Sequence, residues 1–330
     1  MRPVSRHSIL GFSALTALVA CTRQEPSALP VPPSKVEAAV ATSSPLPELA
    51  KPAPKPQRFV VIGDYGQDGP DEALVASLVN RLNPDFVLTV GDNNYPDGLA
   101  STIDANVGKH FQQFIGGYRG EFGPGSPVNR FWPSPGNHDW GREGLQAYLD
   151  YFELPGNERY YDLQIGNVHL FALDSQLAEP DGTSEDSVQA QWLKSKLAAS
   201  HSCFKLVYFH EPPYSSSFHG STKTMRWPFR AWGADAVLSG HDHTYERLEV
   251  DGLSYFVVGM GGAHRYPFRE PLPESKFRYN ETNGVLLGKL DGSQLSLEFY
   301  NTDSQVLDSH ELNRPCPSPV GSALHQASAN

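Results

Sequence analysis

Five short blocks put side chains that can hold a metal ion directly behind apolar runs. They are Gly63-Asp64-Tyr65-Gly66, Gly91-Asp92-Asn93-Asn94-Tyr95, Gly136-Asn137-His138-Asp139, Val207-Tyr208-Phe209-His210 and Gly240-His241-Asp242-His243. Carboxylates, a phenol, an amide and imidazoles are ligands for hard and borderline cations. A single Gly-Asp is ordinary turn chemistry, and a lone His-x-His is often a surface or strand pair. Five blocks in order, each where a strand is expected to stop, point instead to one shared cation pocket. Glycine at such a point lets the backbone turn sharply and expose the next side chain.

The elements that position these blocks follow from the apolar pattern. Phe59–Ile62, stopped by Gly63, predicts a strand buried on both faces. Pro70–Leu82 has helical spacing, with Ala73, Leu74, Leu78 and Leu82 as its apolar face. Phe86–Val90 repeats the strand pattern and again ends in Gly-Asp, so the three form a βαβ unit with parallel strands. Val168–Leu173 and Phe204–Phe209 predict strands around a helix near Ser184–Ser200, and Ala236–Leu238 is a further short strand. Gly252 and Asp291-Gly292 mark hairpin turns, so the C-terminal part is expected to be antiparallel. The expectation is an α/β body of two βαβ-like halves around a sandwich core. Its ligand-bearing residues lie at the carboxyl ends of strands, where open α/β sheets bind ligands.

Together the blocks resemble the metallophosphoesterase (calcineurin-like) superfamily and, within it, the purple acid phosphatases of the small single-domain type. Asp64-Tyr65-Gly66 lacks the histidine that most of the superfamily carries in its first block, whereas Tyr95 stands three residues after Asp92, as in the purple acid phosphatases. Thr244-Tyr245-Glu246-Arg247 is also similar to that subfamily. The resemblance implies a β-sandwich of two mixed sheets flanked by helices, in four αββα layers. It also implies a metal-dependent acid phosphatase that hydrolyses phosphomonoesters by in-line attack of a hydroxide held on a dinuclear centre. One ion would take Asp64, Asp92, Tyr95 and His243; the other would take Asp92, Asn137, His210 and His241, with Asp92 bridging. The oxygen-rich first set suits Fe(III), which would also favour a Tyr95 phenolate. The second set suits a divalent ion, and iron, zinc and manganese all remain open. Water on a ferric ion ionises at lower pH than on zinc, so an acidic to mildly acidic optimum is expected. The resemblance gives His138 substrate-phosphate binding or leaving-group protonation, which suits the side chain whose pKa lies nearest working pH. It gives His219, nine residues after His210, a second such role, beside its reading as an exposed loop histidine. Asp139 is expected to orient a neighbouring ligand. Asp242 is expected to face away and is given no role.

The N-terminus reads as an address. Arg2 and Arg6 precede the apolar run Ile9–Ala20, which is shorter than the roughly 20 residues of a membrane span. Leu18-Val19-Ala20-Cys21 resembles a bacterial lipoprotein signal, in which the cysteine is acylated and becomes the new N-terminus; a plain secretory signal cut nearby is the alternative. Residues 1–21 are therefore expected to direct export to the cell envelope, with membrane attachment through lipid on Cys21. Residues 22–57 contain nine prolines and no periodicity, so a semi-extended tether is expected. Residues 58–314 form the expected catalytic domain, and 315–330 a loose tail.

The chain carries 26 Lys+Arg against 37 Asp+Glu, a net charge of −11, which argues against a nucleic-acid partner. Hydrophobic residues at 39% exclude a wholly disordered chain. A monomer acting on a small phosphomonoester is expected. Three cysteines are too few for a disulfide scaffold, and the sequence leaves open whether Cys203 and Cys316 pair. His169 and His264 are read as packing or surface residues, and Tyr245 as packing. Three functions stay open: a phosphomonoesterase, the same metal chemistry on phosphodiesters or nucleotides, and a non-catalytic metal-binding surface lipoprotein. His138 argues against the last, since a purely structural metal site has no use for it.

Overall fold

The computed structural model describes residues 57–316. The signal segment with Cys21, the tether up to residue 56 and residues 317–330 lie outside the described residues. Strands β1 (Gln57–Ile62), β2 (Phe86–Val90) and β3 (Phe131–Ser134) come first. Next are β4 (Tyr161–Ile165), β5 (Val168–Ala172), β6 (Phe204–Tyr208) and β7 (Ala236–Ser239). After them run β8 (Tyr245–Val250), β9 (Leu253–Val258), β10 (Ser275–Tyr279), β11 (Gly284–Asp291), β12 (Gln294–Asn301) and β13 (Val306–Asn313).

These strands build two mixed sheets, ordered β13-β12-β11-β1-β2-β3 and β10-β8-β9-β7-β6-β5-β4. The expected parallel pairs β1 with β2 and β5 with β6 are present, and β7 adds in parallel beside β6. So are the two expected hairpins, β8–β9 and β11–β12. Period-two alternation sends Phe59, Leu88, Leu206 and Leu238 into the core between the sheets. Their neighbours Val60, Ile62 and Val87 meet the helix Pro70–Leu82 on one outer face. Phe171, Val207 and Val237 meet the helix Val188–Ala199 on the other. The result is a four-layer αββα sandwich.

The helix Pro70–Leu82 begins on a proline and ends at Asn83 in a left-handed conformation, which satisfies carbonyls of its last turn. Its packed face differs from the expected one. Glu72, Val75, Ala76, Val79 and Leu82 point inward with Leu78, whereas Ala73 and Leu74 are exposed. The buried Glu72 carboxylate sets this rotation. Its Oε2 accepts from the N–H groups of Gln67 (3.0 Å) and Asp68 (2.7 Å), tying the helix start to the loop that follows Asp64.

Cys203 and Cys316 are bonded, so the question the sequence left open is answered by pairing. Cys316, inside the segment expected to be a loose tail, is thereby held to the residue that precedes β6. Among the described residues, no helix is long and apolar enough to cross a membrane.

Candidate metal centre

Every block stands at a strand end, as its apolar run predicts. Asp64 follows β1, Asp92 follows β2, Asn137 starts a helical turn after β3, His210 follows β6 and His241 follows β7. Asp64, Asp92 and His241 all have positive φ, at 57°, 53° and 67°. That region is uncommon for residues other than glycine, and such residues concentrate at functional sites. Two glycines make the close approach possible. Gly91 has φ 91°, and a Cβ on it would lie 2.5 Å from His210 Nδ1. A Cβ on Gly136 would lie 2.3 Å from Asp92 Oδ1.

The structure brings all seven candidate ligands together. Tyr95 Oη lies 2.9 Å from Asp92 Oδ2, 3.4 Å from Asp64 Oδ1 and 3.2 Å from His243 Nε2. Asp64, Asp92 and His243 each offer a ligand atom, all within 4.8 Å of one another. On the other side of Asp92, its Oδ2 is 3.3 Å from His210 Nε2. His210 Nε2 and His241 Nδ1 each lie 3.0 Å from Asn137 Oδ1 and 3.2 Å from each other. Asp92 Oδ2 therefore faces both groups.

Backbone carbonyls aim the rings. Val90 O accepts from His210 Nδ1 (2.8 Å) and His264 O accepts from His243 Nδ1 (2.6 Å). Each ring then turns Nε2 into the pocket, the arrangement that metal-binding histidines use. In neutral rings so held, the Nε2 lone pairs face oxygens: Asn137 Oδ1 for His210, and Asp64 Oδ1 for His243. A proton or a cation between them relieves that contact, so this donor set fits bound cations.

The electrostatics agree. Burial opposes charge on His210, but Asp92 and Asp64 hold its pKa up to about 10. Burial, then His210 and His219, push its neighbour His241 down to about 2. Burial also opposes ionisation of Asp92, yet His210 and His138 keep it below the usual carboxylate range. Burial and the Asp92 and Asp64 charges raise the Tyr95 phenol well above its ordinary value. Without a cation Tyr95 keeps its proton and donates it to Asp92; the expected phenolate needs the charge of a bound ion.

His138 sits at the edge of this cluster. Its backbone N–H donates to Asp92 Oδ1 (2.9 Å), its Nδ1 donates to Pro96 O (2.5 Å), and its Nε2 is 3.9 Å from Asp92 Oδ2. His219 is exposed, with its ring centroid 4.2 Å from that of His241. Asp139 is buried and accepts from Asn93 N (3.1 Å), Asn93 Nδ2 (2.8 Å) and Gly136 N (2.8 Å), joining the second block to the third. Burial first, and Asp92 second, raise it to about 6. Tyr245 is buried, stacks on Phe299 and donates to Asp308, which agrees with a packing role.

Three residues escaped the sequence reading. Asp242 does face away from the ligands, but its carboxylate accepts from His219 N (2.7 Å) and Gly220 N (3.1 Å). Glu246 accepts from Ser216 N (2.7 Å) on the same loop. Tyr266 stacks on His243, with centroids 4.1 Å apart and planes at 9°. The glycine-rich Gly261-Gly262 turn just before Tyr266 was the available signal for that residue.

Comparison with known proteins meets the same architecture. The calcineurin-like phosphoesterase profile matches residues 48–245. Tartrate-resistant acid phosphatase type 5 of Homo sapiens is 26% identical over 315 residues, covering 82% of this chain and 94% of its own. Purple acid phosphatase 17 of Arabidopsis thaliana is 24% identical over 286 residues, covering 76% and 82%. The structure of purple acid phosphatase PPD1 from yellow lupin (Lupinus luteus) seeds aligns with a TM-score of 0.64 at 20% identity, over 78% of this chain and 54% of that one. GAP50, the anchor in the inner membrane complex of Plasmodium, aligns with a TM-score of 0.62 at 16% identity, over 79% and 89%. These two structures speak to the fold alone. With the profile spanning more than half of the residues, the strand-end ligand blocks and the two-sheet sandwich have one common explanation: the chain belongs to the calcineurin-like phosphoesterase family and is a hydrolase of phosphoric esters.

Proposed function

We propose that the chain is an acid phosphatase that hydrolyses phosphomonoesters with two cations bound in this pocket. The observation that carries the reading is Asp92 Oδ2, which lies 2.9 Å from Tyr95 Oη on one side and 3.3 Å from His210 Nε2 on the other. A carboxylate so placed suits a bridge between Asp64, Tyr95 and His243 on one ion and Asn137, His210 and His241 on the second. The oxygen-rich set favours Fe(III), and the imidazole-amide set favours divalent iron, zinc or manganese. Cations held there would polarise the phosphoryl oxygens and supply a nucleophile at mild pH. Similarity to tartrate-resistant acid phosphatase type 5 and purple acid phosphatase 17 supports the same activity.

The remaining chemistry falls to side chains of this chain. The Pro96 carbonyl fixes the His138 tautomer through Nδ1, so Nε2 is free to take up a proton and deliver it to the leaving oxygen. His219, beside His241, would contact the phosphate or act as a second acid. His138→Ala should keep the metal content and lower turnover by roughly 10²-fold; unchanged turnover would remove His138 from the mechanism. Elemental analysis with a visible spectrum reads the number of ions and any iron–phenolate colour. Parallel assay on a mono-aryl and a bis-aryl phosphate then separates monoester from diester hydrolysis. Failure to turn over the monoester with both ions loaded would sink the proposal.

Export and acylation at Cys21 are part of the same reading, with the protein a monomer on its tether. The Cys203–Cys316 bond supports an oxidising compartment. Partition of the full-length protein into detergent tests the anchor, and recovery wholly in the aqueous phase would refute it.

A further inference from the structure

The segment Ser215–Gly220, between β6 and β7, is held by two fully buried carboxylates. Asp242 accepts from Ser215 Oγ (2.5 Å), His219 N (2.7 Å) and Gly220 N (3.1 Å). Glu246 accepts from Ser216 N (2.7 Å), from Ser216 Oγ and from Ser275 Oγ (2.6 Å). Arg269 N also donates to Ser216 O (2.8 Å). Burying a carboxylate is costly unless hydrogen bonds satisfy it. Here two of them are committed to one six-residue loop, so the loop is rigid.

What this loop presents is Phe218, which is 48% exposed. Two series of ring contacts run from the candidate ligands to that phenyl. In one, Tyr266 stacks on His243 at 4.1 Å and meets Phe218 at 5.3 Å. In the other, His219 lies on His241 at 4.2 Å and meets Phe218 at 5.2 Å. The Arg269 guanidinium stands 5.7 Å from the Phe218 centroid, adding positive charge at the same rim.

We infer that Phe218, backed by Tyr266 on the clamped loop, is the surface that selects the leaving group, and that it favours phosphomonoesters whose leaving group is a flat aromatic ring. This rests on the phosphatase reading above and deepens it. Offset or edge-to-face contact with the phenyl rewards an aryl group and gives a small polyol ester little. Because the loop is held before substrate arrives, the contact costs little ordering.

The test compares phenyl phosphate with glycerol 2-phosphate on the metal-loaded full chain. Phe218→Ala should lower kcat/KM for phenyl phosphate by about 10-fold and for glycerol 2-phosphate by less than about 2-fold. Phe218→Trp should retain the preference. Calorimetric binding, which needs no turnover, should give the same ranking: the variant loses affinity for phenylphosphonate but keeps it for methylphosphonate. Equal losses on both esters, or none on either, overturn the inference and leave the phosphatase reading standing. A wild-type protein that is inactive on both esters overturns both.

Discussion

Replacing Asp242 by Asn tests the clamp with almost no change of shape. The wild-type carboxylate accepts from two backbone N–H groups and the Ser215 hydroxyl in a fully buried setting. Asn keeps one oxygen for one backbone donor and turns an NH2 group toward the other. A hydrogen bond to a charged acceptor contributes about 1.5–3 kcal/mol, and an unpaired buried N–H costs about 1–3 kcal/mol. The loop then loses on the order of 3 kcal/mol, which is about 100-fold in its opening equilibrium. The effect is local, since Ser215–Gly220 opens without separating the sheets. Hydrogen exchange in a peptide spanning residues 211–222 should accelerate by about two orders of magnitude, while peptides from β1 and β2 keep their rates. Selectivity for phenyl phosphate should fall in parallel. Metal content should persist, because the His241 N–H is held by Asp64 and His243 Nδ1 by the His264 carbonyl. Unchanged protection at residues 215–220 would refute the clamp. Uniform acceleration across all peptides would refute its local character.

The double replacement Cys203→Ala, Cys316→Ala removes a link across 113 residues of sequence. Chain entropy then gives a stability loss of up to about 5 kcal/mol. The ladder between β13 and β12 is left in place, so the melting temperature should fall while activity at 25 °C is kept; an unchanged melting temperature would contradict the entropic role. At Glu72, burial raises the carboxyl well above the ordinary glutamate value, against partial opposition from the Asp68 and Gln67 N–H groups. A raised folded pKa means that the contribution is complete below the unfolded pKa and is lost as pH rises through the folded one. Glu72→Gln keeps an oxygen for both amides, so it should match wild type near pH 4 and exceed it at neutral pH in denaturant titrations. Stability curves that stay parallel across that range would refute the assignment.

The ligand set was legible because each of its residues is announced locally. An apolar run that stops at Gly63, Gly91 or Gly240 marks a strand end, and the next residue carries the chemistry. The pairing of β11 with β1 was not legible, because more than 200 residues separate partners that no local period connects. Edge strand β4 and the irregular β10 lack a continuous apolar run and were not anticipated. Leu74 misled because hydrophobicity alone counts it inward, while the buried Glu72 takes that side of the helix. Asp242, Glu246 and Tyr266 were missed for a related reason. Their roles depend on the Ser215–Gly220 loop, whose position against β8 is a tertiary fact.

A cluster arranged for stability alone would be built differently. Its two buried carboxylates face a phenol that burial keeps neutral, and two adjacent imidazoles are driven apart to about 10 and about 2. The proton on His210 offsets the Asp92 charge, but that same positive charge then adds to burial in keeping His241 neutral. Left-handed backbone at Asp64, Asp92 and His241 adds about 1–3 kcal/mol of strain at each. Bound cations would relieve the electrostatic conflicts together, by taking the place of the His210 proton and offsetting the charge of both carboxylates; the backbone strain would persist and must be offset by the sheets. Stability and metal binding should therefore separate at His241. His241→Asn puts a residue tolerant of φ 67° in place of a ring that burial disfavours when charged. The metal-stripped variant should melt at or above the temperature of stripped wild type, yet gain less from added metal. A stripped variant less stable by more than about 1 kcal/mol would mean that the imidazole is a packing element, and the strain at this position would need another explanation.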